Sequence, residues 1–265
     1  MITFGMPTLM EIDSVEETAA LCKELGLSFV ELNTNFPAHQ PHLLRAETLN
    51  RLAEENQIFY TIHLNDELPV AEFNPHISRG YQQMVAEAID FAKKIGAPKL
   101  NMHLSDGGKY TMPDKIVYFY GAYRREYLHQ MAQFRDMCEK TIGDAEIQIC
   151  VENTNGFRDY QLDALELLLQ SPVFGLTMDI GHNYCAGEAD EAWILAHQDR
   201  LHHMHLHDAK NQKNDHLPMG EGELDLQKFL SLADEHDCTA VLETKTIEGL
   251  KKSVQWIKNA DLFMK

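Results

Sequence analysis

Strand-like and helix-like segments alternate eight times along this chain, and few architectures accept that pattern. Apolar, β-branched runs fall at residues 2–6, 29–32, 58–64, 99–103, 147–152, 174–179, 201–207 and 240–244. Stretches with the helical period follow them at 14–25, 46–55, 77–95, within 123–142, within 162–169, and at 191–197, 226–236 and 250–257. Ser14 and Glu17 have the spacing of a capping box at the head of the first helix, and Gly26 and Gly96 stop the first and third. Such alternation predicts parallel strands joined by crossover helices. Eight repeats within 265 residues predict closure into one α/β domain, a (β/α)8 TIM barrel spanning the whole chain. No Pro/Gly/Ser-rich linker divides it. Residues 107–121 read as a long loop that would form a lid or wall over the barrel mouth.

In a parallel barrel every strand ends at the same mouth, and the unusual residues of this chain cluster at strand ends. Three times an apolar run is followed by His-Leu-X-Asp: His63 to Asp66, His103 to Asp106, and His205 to Asp208. Carboxylates close other runs, namely Glu152, Asp179 and Glu243. Imidazole and carboxylate are ligands for Zn²⁺, Mn²⁺ and similar ions, and unpaired carboxylates inside a barrel mouth are costly without a cation. Glu152, Asp179, His205 and Glu243, from four consecutive strands, are therefore expected to converge on one ion. His63, His103, His182 and His216 form a second set, available as further ligands, and the first three of them also for holding substrate.

Other residues near the mouth are read more plainly. His203 and His207 share the inward face with His205 by the period of two and fit supporting or packing roles, while His202 points away. Asp66, Asp106 and Asp208 read as groups that cap loops or orient neighbours. Lys210 and Lys245 are the cations near strand ends that are available to a substrate, and Lys210 is taken as a substrate contact. The Gly220-Glu221-Gly222 turn permits close backbone approach. His39, His42, His76, His129, His197 and His236 match no strand end and read as surface residues.

Composition removes several function classes. The formal charge of −18 opposes attraction to nucleic acid or to an anionic membrane surface. No apolar run approaches a membrane span, and the first ten residues lack a signal-peptide pattern. Five scattered cysteines without a C-x-x-C pair fit reduced thiols and a cytoplasmic protein. There is no phosphate-binding P-loop, nucleophile elbow or dinucleotide fingerprint.

The run Glu152-Asn153-Thr154-Asn155-Gly156, the spacing Asp179-Ile180-Gly181-His182, His205-Leu206-His207-Asp208, and His216 before Gly220-Glu221-Gly222 share an order. Together they resemble the xylose isomerase-like TIM barrels, the AP endonuclease family 2 superfamily, over most of the chain. Endonuclease IV is one branch and is known for a three-zinc cluster. That resemblance implies His63, His103, Glu152, Asp179, His182, His205, His216 and Glu243 as ligands. In the branch resembling tagatose epimerase, Glu152, Asp179, His205 and Glu243 form the whole centre and His182 contacts substrate. The chain departs from the endonuclease at Asn214, where that branch has Asp. It also carries no Arg after the second strand until Arg45, and has Asn65-Asp66-Glu67 in place of an aromatic wedge.

These features lead to an expected metal-dependent isomerase or epimerase of a small sugar, sugar phosphate or related polyol. Glu152 and Glu243 would transfer the proton through a metal-stabilised enediolate. The alternative is a multi-zinc phosphoesterase acting on a small phosphoester, with DNA disfavoured by the charge; a barrel that only binds a sugar is a third reading. The expected cofactor is one to three divalent ions, with one Mn²⁺ fitting isomerisation and two or three Zn²⁺ fitting hydrolysis. The expected partner is a small molecule rather than a membrane or nucleic acid, and assembly as a homo-oligomer is left open.

Overall fold

The computed structural model describes residues 2–260. Eight parallel strands close into a barrel: β1 (Thr3–Pro7), β2 (Phe29–Asn33), β3 (Phe59–His63), β4 (Lys99–His103), β5 (Gln148–Glu152), β6 (Phe174–Asp179), β7 (Leu201–Leu206) and β8 (Thr239–Leu242), which returns to β1. Helices Val15–Leu25, Ala46–Asn56, Pro75–Ile95, Arg124–Ile142, Asp159–Leu168, Glu191–Ala196, Leu226–Glu235 and Ile247–Asn259 carry the chain back over the outside. This is the (β/α)8 barrel that the alternation predicts.

Local chemistry sets the element ends. The Ser14 hydroxyl accepts from the Glu17 backbone N–H at 3.2 Å, and Gly26 closes that helix at φ 77°, a conformation that glycine adopts without a Cβ penalty. The third helix begins earlier than its apolar period, because Asn74 caps it and Pro75 fits its first turn. The outward faces of the strands pack on the helices, as where Phe174 meets Phe134 at 6.1 Å between ring centroids. Deeper in the barrel Phe29 stacks on Phe59 at 5.0 Å. Strand register then aligns the polar ends, pairing His103 with Glu152 and Asp179 with His205.

The long connections differ from simple loops. Residues 107–121 form a hairpin of Lys109–Thr111 with Ile116–Tyr118 and lead into a short helix, Phe119–Ala122. Strands of three mostly exposed residues leave little periodic signal. The hairpin is anchored from outside itself, since Arg158 binds Asp106 twice at 2.9 Å and lies 3.7 Å over the Tyr118 ring. A second hairpin, Asp208–Lys210 with Asn214–Leu217, follows β7, and a short helix, Ile180–Cys185, follows β6. His39 is buried and stacks on Phe36 at 5.5 Å, so its expected surface position is corrected; an aromatic neighbour three residues away covers it. No helix among the described residues is long and apolar enough to cross a membrane.

Candidate metal centre

Alternation along β7 points His203, His205 and His207 inward, and all three are buried; His202 turns the other way and lies over Gly175. His205 stands at the middle of the mouth. Its Nδ1 lies 3.3 Å from Glu152 Oε1, 3.8 Å from Asp179 Oδ2 and 2.8 Å from Glu243 Oε2. Glu152, Asp179, His205 and Glu243 thus offer four ligand atoms within 4.8 Å of one another. Three carboxylates and one imidazole make a donor set suited to a divalent cation.

Unsatisfied atoms test whether such an ion fits. His205 Nδ1, His182 Nδ1, His216 Nε2 and Glu243 Oε2 are buried without a hydrogen-bond partner, and the close approach of Glu243 to His205 lies outside hydrogen-bond geometry. Native interiors pair nearly all buried polar atoms, so four orphans in one cluster mark a place built for another group. The residues present fit a divalent metal.

Glu152 and Glu243 each have one oxygen tied down, and both oxygens of Asp179 are held, Oδ1 by the His182 backbone N–H at 2.6 Å and Oδ2 by His207 Nε2 at 3.0 Å. Glu152 Oε2 takes a short hydrogen bond from Asn101 Nδ2, whose own oxygen accepts from Thr177 at 2.6 Å. His103 Nε2 and His63 Nε2 also face that oxygen at 3.1 and 3.4 Å. His182 Nδ1 approaches Glu152 Oε1 at 3.4 Å and Asp179 Oδ2 at 3.6 Å. On the far side, Lys245 Nζ holds Glu243 Oε1 at 2.7 Å and His216 Nε2 stands 3.4 Å from the same oxygen. The structure therefore gathers His63, His103, His182 and His216 around the four expected ligands. Lys210, expected as a substrate contact, lies in the second hairpin, paired with Asn214 beside Glu223, and does not line the cavity above the cluster.

His207 is committed elsewhere. Its Nε2 lies 3.0 Å from the Asp179 carboxylate and its Nδ1 accepts from the His216 backbone N–H at 2.7 Å, which leaves neither nitrogen free. His216 itself takes φ 54°, the left-handed region that costs a residue with a side chain. Asp208 holds the surrounding loop by accepting from the backbone of Ala209, Gly220, Gly222 and Leu224. A Cβ on Gly222 would run into Asp208, so this turn requires glycine.

The cluster polarises its members against burial. Desolvation alone would raise the Glu152 and Glu243 carboxyls, but His205, together with His103 for Glu152 and His216 for Glu243, holds both well below the ordinary range. Burial would lower the imidazoles, yet Glu152 raises His63 to about 9, and Asp179 with Glu152 raises His182 to about 10. Above this floor opens a cavity of about 500 Å³ lined by His103, His182, Asp66, Glu67, Asp215 and the hairpin residues Lys109 and Tyr118. Three residues carried no distinct sequence signal: Glu31, Asn101 and Thr177. The one trace was a charge standing alone inside the apolar run around Glu31, between Val30 and Leu32.

A closed (β/α)8 barrel whose mouth concentrates imidazole and carboxylate is thus the class that fold and site define. The chain belongs to the xylose isomerase-like TIM barrel family, whose profile matches residues 19–260. An uncharacterised protein of Methanocaldococcus jannaschii is 23% identical over 211 residues, covering 77% of this chain and 75% of that one. A D-tagatose 3-epimerase-like protein superposes with a TM-score of 0.79 at 22% identity, covering 98% of this chain and 97% of that one. The 3-keto-D-glucoside 4-epimerase of E. coli gives 0.78 at 13% identity, with 98% and 100% covered. The IolI protein with a bound zinc atom gives 0.71 at 17%, with 98% and 97% covered. At these identities the structural likeness establishes the fold.

Proposed function

We propose that this protein is a divalent-metal-dependent isomerase or epimerase of a small sugar or related polyol, acting by proton transfer at a carbon next to a carbonyl. The observation that carries this reading is the pair Glu152 and Glu243, which approach His205 Nδ1 at 3.3 and 2.8 Å, each with its other oxygen anchored. Two carboxylates held rigidly about one centre suit removal of a proton by one and its return by the other. Asn101 and Lys245 fix their orientation, His182 faces the cavity where it can hold a substrate hydroxyl, and the hairpin forms one wall of that cavity. Glu152, Asp179, His205 and Glu243 would hold a divalent ion, which would supply an electrophile for a carbonyl and its neighbouring hydroxyl. The names of two structural neighbours, an epimerase-like protein and an epimerase, and the zinc bound by a third support the same reading.

One observation favours a multi-zinc phosphoesterase as the second reading: Glu152 faces His63 and His103 with one oxygen and His182 and His205 with the other, as a bridging ligand would. Against it, Asn101 already donates to one of the two Glu152 oxygens that would bridge. The test loads purified protein with Mn²⁺ or Zn²⁺, counts bound ions, and follows wash-in of solvent deuterium into ketohexoses such as D-allulose and D-tagatose. About one ion per chain with exchange abolished in Glu152→Gln and Glu243→Gln is expected. Two or three zinc ions with phosphate-ester hydrolysis and no exchange would replace the proposal with the second reading.

A further inference from the structure

We propose that Glu31 is a positioning residue that selects which nitrogen of His205 faces the metal centre; this rests on His205 acting as a ligand. Glu31 lies on β2, inside the barrel beneath the mouth, with a side chain only 3% exposed. A carboxylate there is expensive to bury and has to be held by several donors. Its Oε2 accepts from Thr61 Oγ1 at 2.9 Å and meets His203 Nε2 at 3.0 Å. Its Oε1 lies 2.9 Å from His205 Nε2.

The donors can be ordered from the barrel floor upward. Lys99 Nζ donates to Thr239 Oγ1 at 3.0 Å, and that hydroxyl lies 2.6 Å from His203 Nδ1, closer than its other acceptor, the His202 carbonyl at 3.4 Å. A carboxylate only accepts, so Glu31 Oε2 at 3.0 Å assigns the His203 proton to Nε2 and leaves Nδ1 to accept from the Thr239 hydroxyl. His203 Nε2–H then donates to Glu31 Oε2, and Thr61 occupies the same oxygen. Oε1 is left for His205.

A neutral imidazole can offer its lone pair to a metal from one nitrogen only, and the other must carry its proton to an acceptor. His205 Nε2 makes no hydrogen bond, and its contact with Oε1 is one of charge and distance. With Oε1 at 2.9 Å, the proton belongs on Nε2 and the lone pair on Nδ1, the nitrogen that faces Glu152, Asp179 and Glu243. Glu31 on β2, held by Thr61 and His203, thereby orients one imidazole at the mouth of the barrel.

The experiment measures Zn²⁺ and Mn²⁺ affinity by competition with a chromogenic chelator, at a temperature well below every variant's melting transition. Glu31→Gln should weaken affinity by about 10–100-fold, the usual effect of losing the group that orients a ligating imidazole. Thr61→Val removes a hydrogen bond from the same carboxylate without touching His205, and should lower the melting temperature while leaving affinity within about threefold. Glu31→Asp keeps the charge but draws the carboxylate back by one methylene, and provides the test if Glu31→Gln does not fold. It withdraws the acceptor from His205 Nε2 and should weaken affinity by about threefold or more. Wild-type affinity in folded Glu31→Gln, or in Glu31→Asp where Glu31→Gln fails to fold, overturns the proposal. Equal losses in Glu31→Gln and Thr61→Val would reduce Glu31 to a structural role. A wild-type protein that binds neither ion would overturn the metal-centre reading itself.

Discussion

Replacing Asp208 by Asn tests whether one buried carboxylate holds the loop that carries His216. Asp208 is 1% exposed, and all of its hydrogen bonds are accepted ones. Oδ2 takes Gly220 N–H at 3.0 Å and Gly222 N–H at 2.8 Å, and Oδ1 takes Ala209 N–H at 2.9 Å and Leu224 N–H at 3.2 Å. In Asn one oxygen becomes an NH₂ group, so whichever way the amide turns, two backbone donors face another donor. A donor left unpaired costs about 1–3 kcal/mol. Gly220 is exposed and Gly222 partly so, and water recovers some of that cost; the amide should therefore point its nitrogen at this pair. About 3 kcal/mol is the expected destabilisation. For a chain of this length that corresponds to a fall in Tm of roughly 6–12 °C. The assay is a thermal melt by circular dichroism in the presence of a chelator, with Asp66→Asn as the control, since Asp66 is 57% exposed at its side chain. If the loop opens before the barrel, the loss appears instead as faster trypsin cleavage after Lys213. A melt within about 2 °C of wild type together with unchanged proteolysis would refute the reasoning.

Three further outcomes follow from the site. His182→Ala should keep the ion count while weakening substrate binding, and His216→Ala should do the same; loss of a zinc ion in either, measured by elemental analysis, would favour the phosphoesterase. Without metal, stability should depend on pH from both sides. The raised imidazoles of His63 and His182 contribute fully below about 6.5 and lose that contribution as pH rises through about 9 and 10. The depressed carboxyls of Glu152, Asp179 and Glu243 contribute above about pH 4 and lose it as pH falls through their lowered values. A chelator-treated protein should therefore melt highest between about pH 4.5 and 6.5, and a flat profile from 6.5 to 10 would contradict the electrostatics. Finally, Asp66, Glu67 and Asp215 line the cavity, and Arg158 is held by Asp106. An unphosphorylated ketose should be turned over at least tenfold more efficiently than its phosphate ester, and abasic duplex DNA should not be nicked at physiological salt. Equal kcat/KM for the two sugars, or efficient nicking, would reverse that expectation.

The sequence by itself determined the barrel and the composition of its mouth. Eight alternations leave parallel pairing as the economical solution, and parallel closure brings every strand's C-terminal end to one side. Glu152, Asp179, His205 and Glu243 could therefore be gathered from their positions alone. The period of two likewise put His203 and His207 on the face of His205. Tertiary structure decided what those residues touch. Glu31 reaches His203 across 172 residues of chain, Asn101 meets Glu152 across 51, and Lys245 turns back onto Glu243 rather than outward. Such contacts depend on strand register and on the curvature of the closed sheet, which the whole set of pairings fixes together and no local pattern encodes. The same holds for the two hairpins. Their strands are too short to carry a period, and Arg158 and Asp208, held by residues distant in sequence or by a loop wrapped around them, give them their shape.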